Sequence, residues 1–176
     1  MAGKQALRDF QARLAERLQA ARTGGVAASW LAVRAGTERL LIPLSHAAEI
    51  FPWADLHRVP YVQPWFLGVA NLRGTLSGVV DLAGFLGGVA GPARPATALA
   101  QCRLVRFNTL LDINCALLVD ELLGMRTTQA FVRSTPPQPS DPPYFGHAYL
   151  DVDGALWREI NLQALAQLPA FVGVGT

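Results

Sequence analysis

The sequence has few cysteines, only one lysine and no long apolar run, and the first and last of these shortages each remove a class of protein. Cys102 and Cys115 are its only cysteines. Both lie in strand-like runs and form no metal-spaced set with His46, His57 or His147, so buried free thiols are expected and no structural metal is. No apolar run reaches the roughly 20 residues that span a bilayer, and the first residues lack the apolar core of a signal peptide. A cytoplasmic protein without direct membrane insertion is therefore expected. Charge is also sparse and balanced, at 16% of residues and a net +2. The excess sits in the first 25 residues, where Lys4, Arg8, Arg13, Arg17 and Arg22 face only Asp9 and Glu16. The remainder offers no broad basic face for nucleic acid.

What is present is enough apolar material, 51% of 176 residues, to fold unaided as one domain or two small lobes around a shared core. Leu7, Phe10, Leu14, Leu18 and Ala21 recur at helical spacing, which predicts an amphipathic helix over 4–22, followed by a hinge at Gly24 and Gly25. Beyond the hinge the period becomes that of strands. One strand is expected from about Trp30 to Arg34 and a second, after a turn at Gly36, up to Ile42, where Pro43 removes a donor. "HAAEIF" fits either a helical turn or a third strand. "LGVANL" and "TLSGVV" read as a hairpin joined by Asn71 to Gly74, and Asp81 as the N-cap of a brief helix, "DLAGFLG". Residues 87–100 are rich in Gly, Pro and Ala and read as a connector. "CRLVRF", "INCALLVDELLGM" and "RTTQAFVR" each read as one strand, "STPPQPSDPP" as an exposed loop, "YLDVDGALWREI" as an Asp-Gly hairpin and "NLQALAQLPAF" as a short closing helix. Many short strands with little helix between them argue for small barrels.

Catalytic and ligand-binding chemistry finds little support. Ser45 and His46 are adjacent, which in a strand sends them to opposite faces. Asp151 and Asp153 lack the downstream ligands of a calcium loop, and "GFLGG" and "GGVAG" lack the form of a phosphate loop. Phe66, Phe85, Phe107 and Trp65 sit in apolar runs as core candidates. No cofactor and no enzymatic activity are expected. Arg73 remains, a lone guanidinium at a turn among aliphatic residues; it can present a planar fork of donors to carboxylates or helix carbonyls. That combination suits the docking of a helix tip. An alternative is a small barrel that binds RNA or single strands, with the basic N-terminal helix as its arm.

"VP" at 59–60, "GVANLRG" at 68–74, "VVDL" at 79–82 and "ALLVDELLGM" at 116–125 resemble the CheW-like domain family of chemotaxis coupling proteins. Weaker similarity runs from about Trp30 to Leu165 and includes Glu49 and Ile50 at the family's Glu-Ile. The N-terminal helix, "LLVDELLGM" and "GALWREINLQAL" are most similar to the PilI branch, which serves type IV pilus twitching motility; a flagellar coupling protein is the alternative. The resemblance implies a mainly β fold of two small SH3-like five-stranded barrels sharing a core, with an N-terminal helix and a short C-terminal helix. Residues 1–25 would be helix and hinge and 26–176 the domain, its first barrel mainly 28–88 and its second mainly 100–163, with strands free to exchange. It also implies a non-catalytic signalling adaptor between the cytoplasmic tip of a methyl-accepting chemoreceptor and a CheA-like histidine kinase, recruited to membrane receptor arrays. The receptor-binding residues would be Arg73, Asn71, Gly74, Ala47, Ala48, Glu49, Ile50, Val119 and Asp120; the kinase-binding residues are not assigned beyond the exposed barrel ends. Two departures from the family pattern stand out. Ser77 and Gly78 replace a usual proline, which predicts local flexibility, and Arg158 and Glu159 interrupt an apolar final strand.

Overall fold

A computed structural model describes residues 28–176, so the helix expected over 4–22 and its hinge lie outside the described residues. Eleven strands dominate. They are β1 (Ser29–Ala35), β2 (Glu38–Pro43), β3 (Ala47–Pro52), β4 (Phe66–Leu72), β5 (Thr75–Asp81), β6 (Arg103–Phe107), β7 (Cys115–Val119), β8 (Glu121–Thr127), β9 (Phe131–Thr135), β10 (Phe145–Asp151) and β11 (Leu156–Ile160). Four short helices join them: α1 (Leu82–Gly87), α2 (Ala96–Leu99), α3 (Leu162–Gln167) and α4 (Pro169–Val172). None is long and apolar enough to cross a membrane.

The strands form two sheets, one of six in the order β8-β1-β2-β11-β10-β9 and one of five in the order β3-β6-β7-β5-β4. Neither sheet is a continuous half of the chain. The first two strands pair with β8 and β11 from the second half, and β6 and β7 pair with β3 and β5 from the first. The exchange hinges on Asp120. The stretch "INCALLVDELLGM" is two strands, because the chain leaves the five-stranded sheet after Val119 and enters the six-stranded one at Glu121.

Both faces of the central strands are buried, and each face serves a different core. On β1, Leu31, Val33 and Ala35 join Val105, Phe107, Leu117 and Val119 in a core shared by the two sheets. Trp30 and Ala32 point the other way, into a cluster with Leu41 and Trp157 inside the curl of the six-stranded sheet. The five-stranded sheet curls likewise around Ala70, Leu72, Val79, Leu104, Ala116 and Leu118. This alternation, period two on strands buried twice, makes the two small barrels with a common core. The segment after β3 helps close the smaller curl, since His57 and Val69 exchange backbone hydrogen bonds of 2.8 and 2.9 Å along the free edge of β4. Gly68 permits that approach: its φ is 134°, and a Cβ there would lie 2.3 Å from the His57 carbonyl oxygen.

Several local expectations hold, and others need correction. "AAEIF" is a strand, β3. Trp65 and Phe107 are buried, and Trp65, Phe85 and Phe107 ring Phe171 at centroid distances of 5.1–6.1 Å. Cys102 and Cys115 are free and buried, and burial pushes the Cys115 thiol up to about 12. "RTTQAFVR" breaks at a 3-10 turn over Thr128–Ala130 into the end of β8 and the start of β9. "NLQALAQLPAF" is two helices, because Pro169 starts the second. Gly78 is not a flexible point but a packing one: a Cβ there would lie 3.0 Å from the Phe66 ring. Arg158 and Glu159 do not interrupt β11. Arg158 lies 4.5 Å over the Phe145 ring, and Glu159 accepts a 3.1 Å hydrogen bond from Trp30 Nε1.

Candidate functional site

The β4–β5 hairpin carries the candidate surface site. Leu72 pairs with Thr75, which leaves Arg73 and Gly74 as the two-residue loop, with φ of 51° and 82°. Positive φ at both positions matches the twist of the strands, and Asn71 Oδ1 fixes the loop by accepting from the Gly74 amide at 2.8 Å. Asn71 and Gly74 therefore set the turn, as expected. An arginine in the left-handed region is uncommon. It stands out from the turn with 75% of its side chain exposed.

Under Arg73 lies a carboxylate shared by two guanidiniums. Glu49 on β3 faces Arg106 on β6 across the strand pair. Its Oε1 is 3.3 Å from Arg73 Nη1 and 3.7 Å from Arg106 Nη2. Both guanidiniums also stand over the Phe51 ring, at 5.8 and 5.6 Å from its centroid. Arg106 reaches the Leu72 carbonyl as well, at 3.4 Å, so it ties β6 to the base of the Arg73 turn. Strands β3 and β4 are the two edges of their sheet, so this contact forms only because the sheet curls. Two cations share one anion, and the outer cation is the exposed one. Glu49 Oε2 and Arg106 Nε are buried without a hydrogen-bond partner. The cluster presents a positive tip on a fixed turn, suited to carboxylates or to the carbonyls at a helix end.

The other expected residues divide into two groups. Ile50 is exposed on the opposite face of β3 from Glu49, Ala48 is exposed at a register shift between Ala47 and Glu49, and Ala47 is half-buried against the shared core rather than beside Glu49. Val119 and Asp120 do not join this surface. Val119 is fully buried in the shared core.

Asp120 belongs to a second arginine cluster that sequence reasoning missed. Arg94, in the Gly-Pro connector, donates from Nε to Asp120 Oδ1 at 2.6 Å, and from Nη1 and Nη2 to the two oxygens of Asp81 at 2.6 and 3.0 Å. The second oxygen of Asp120 accepts from the Gly36 amide in the β1–β2 turn at 2.6 Å. Asp81 caps α1 as expected, through a long 3.4 Å bond from the Gly84 amide. Exposure of the three side chains is 8% for Arg94, 2% for Asp81 and 13% for Asp120. Burial alone would raise the Asp120 carboxyl, but hydrogen bonds from Arg94 and the Gly36 amide hold it below the ordinary carboxylate range. The connector lies tight over this cluster, since a Cβ on Gly91 would occupy the Asp81 carboxylate. One arginine thus joins the connector, the end of β5, the crossover between sheets and the first hairpin. The signal was in the sequence: Asp81 and Asp120 each end an apolar run, and buried carboxylates require a cation.

Among the described residues no group of three or more His, Cys, Asp or Glu side chains could hold a metal. Asp151 serves its hairpin, accepting from the Asp153 and Ala155 amides at 2.9 and 2.8 Å and from Trp157 Nε1 at 2.8 Å.

Comparison with known proteins agrees with this architecture. The chain is 30% identical over 164 residues to Protein PilI of Pseudomonas aeruginosa, covering 92% of this chain and 88% of that one. It is 30% identical over 138 residues to a probable chemotaxis protein CheW of Rhizobium etli, covering 77% and 84%. The crystal structure of the scaffolding protein TtCheW from Thermoanaerobacter tengcongensis shares the fold, with a TM-score of 0.63 over 77% of this chain and 90% of that one at 16% identity. The CheW-like domain profile matches residues 29–170, most of the described chain, and the chain therefore belongs to the CheW-like domain family.

Proposed function

We propose that this protein is a non-catalytic coupling adaptor that binds the cytoplasmic tip of a methyl-accepting chemoreceptor through Arg73 and also binds a CheA-like histidine kinase. The exposed guanidinium on a fixed turn carries this reading. Its long side chain is anchored at one end by Glu49 and stands over the Phe51 ring, while Ile50 and Ala48 are exposed elsewhere on β3. Asn71 and Gly74 hold the turn and Glu49 forms its base, while Ala47 packs toward the shared core. Val119 and Asp120 act on this surface only through the frame they build. Holding both partners at once raises the local concentration of kinase at the receptor without any chemical step. A cytoplasmic protein recruited to receptor arrays fits this role. The longer match to PilI, 164 residues against 138, favours twitching motility by type IV pili over flagellar chemotaxis as the output.

The test is a titration of the full chain with a receptor tip fragment from the same organism, for wild type and Arg73→Asp. The variant is expected to weaken binding by at least about 2 kcal/mol, roughly thirtyfold, with its melting temperature unchanged. Undiminished binding by a folded Arg73→Asp variant overturns the role of Arg73.

A further inference from the structure

Two orphaned atoms beneath Arg73 are complementary. Glu49 Oε2 is an acceptor and Arg106 Nε a donor, and both are buried without a hydrogen-bond partner. They belong to residues that face each other across β3 and β6 and already form an ion pair. Glu49 Oε1 lies 3.7 Å from Arg106 Nη2, beyond hydrogen-bond reach. Nη2 and Nε are the donors on one side of the guanidinium, so the carboxylate stands before a side-on fork without closing on it. The same Oε1 is 3.3 Å from Arg73 Nη1, which draws it outward toward the turn.

Closing the fork needs a movement of about 1 Å, to the roughly 2.7–2.9 Å of a charge-assisted bond, and it satisfies both orphaned atoms at once. Arg106 Nη1 keeps the Leu72 carbonyl and the guanidinium keeps the Phe51 ring. Only the contact of Glu49 with Arg73 is given up, and that side chain is 75% exposed. While Arg73 has no other anion, one carboxylate oxygen between two cations retains both attractions and the fork stays open. A second carboxylate on Arg73 removes the reason for sharing.

We propose, on the strength of the receptor reading of Arg73, that Arg106 is a positioning residue for it: a carboxylate of the receptor tip on Arg73 lets Glu49 close side-on on Arg106, Oε2 accepting from Nε and Oε1 from Nη2. Arg106 thereby takes up the charge that would otherwise stand beside the incoming carboxylate and repel it.

The closure can be read without any partner. In Arg73→Ala the outer cation is gone, and the Arg106 Nε proton resonance of the full chain, identified by its loss in Arg106→Lys, should move downfield as it bonds to the carboxylate. The same movement should accompany titration of wild type with the receptor-tip fragment. In that titration Arg106→Lys, which keeps a charge but offers no planar fork, should bind about tenfold more weakly. Arg106→Leu should lose at least as much, and Glu49→Gln added to Arg106→Leu should recover most of the loss by removing the repelling charge. A purely structural role for Arg106 gives additive losses instead. An Arg106 resonance unmoved in Arg73→Ala, or no recovery in the double variant, overturns the role of Arg106 and leaves Arg73 as the receptor contact. Movement in Arg73→Ala with no tip binding by wild type overturns the receptor reading, and the role of Arg106 falls with it.

Discussion

Arg73 and Arg94 are two guanidiniums that meet carboxylates at nearly opposite extremes of burial. Arg73 touches a single oxygen of Glu49 at 3.3 Å and keeps three quarters of its side chain in water. Arg94 is almost wholly enclosed and donates three charge-assisted bonds of 2.6–3.0 Å to two carboxylates. An exposed pair of the first kind contributes between zero and about 1 kcal/mol, because water and salt screen it. A buried pair of the second kind repays its desolvation only when every donor and acceptor is matched, and removing one member leaves charge stranded. The same residue type is therefore an exposed charge in one place and a fastening in the other. Burial and partner number decide which.

The largest effect expected is from Arg94→Met. Two carboxylates lose their cation inside the protein, which should cost about 3–5 kcal/mol and lower the melting temperature by roughly 10 °C. Urea denaturation should show a lower midpoint with little change in slope. Adding Asp81→Asn and Asp120→Asn to Arg94→Met removes the stranded charge while keeping acceptors for the Gly84 and Gly36 amides, and should recover about half of the loss. A folded Arg94→Met variant with wild-type stability would erase the distinction between the two arginines.

Acid sharpens the same contrast. The folded Asp120 carboxyl lies below its unfolded value of about 3.9, so its stabilisation is fully present above that value and is lost as pH falls through the folded one. Thermal melts from pH 5 to pH 2 should therefore steepen below about pH 4 in wild type. Asp120→Asn should flatten that limb. An unchanged acid limb in Asp120→Asn would mean that other carboxylates dominate acid unfolding.

Much of the fold was legible because strands on a half-buried barrel obey period two, and Gly36, the Asn71–Gly74 turn and Gly154 mark hairpins by their chemistry. The exchange of strands between sheets was implied by the family resemblance alone and not by local pattern. Nothing local to "ALLVDELL" says that the chain changes sheet at Asp120, because Val119 and Leu122 both pack toward the shared core and the hydrophobic pattern runs on. The surface site was half legible. A lone arginine in a two-residue turn is a local signal, whereas Arg106 joins it only through the curl that brings the two sheet edges together. Arg94 was hidden by its setting, a Gly-Pro connector that reads as exposed. Asp120 was placed with Arg73 by family resemblance, and the geometry instead joins it to Arg94 by a hydrogen bond of 2.6 Å.

Arg73 is expected to give a smaller stability effect, of opposite direction in its backbone term. Arg73→Asn removes the ion pair with Glu49, at a cost below about 1 kcal/mol. It also places asparagine before Gly74, the pair that a loop with positive φ at both positions prefers. The two changes should nearly cancel, leaving the melting temperature within about 2 °C of wild type. Receptor-tip binding should nonetheless fall, as for Arg73→Asp. A loss of stability approaching that of Arg94→Met would show that Arg73 fastens the barrel rather than standing on it.

His46 extends the comparison to a cation-former with no matched carboxylate. It lies between β2 and β3 with Nδ1 buried and without a hydrogen-bond partner. Burial lowers its pKa, and the charge of Glu159 offsets this only in part. The neutral ring is therefore the folded form, so its stabilisation is present above the unfolded value of about 6.5 and is lost as pH falls toward the lower folded one. The effect should be well below about 1 kcal/mol, since the ring is only half-buried. Melting temperatures at pH 7.5 and pH 5.5 should differ slightly in wild type and less in His46→Asn. A His46→Asn variant with the same difference would place the titrating group elsewhere. A larger difference in wild type than Asp120 produces in acid would mean that a missing partner costs this fold more than a broken pair, reversing the order drawn from Arg73 and Arg94.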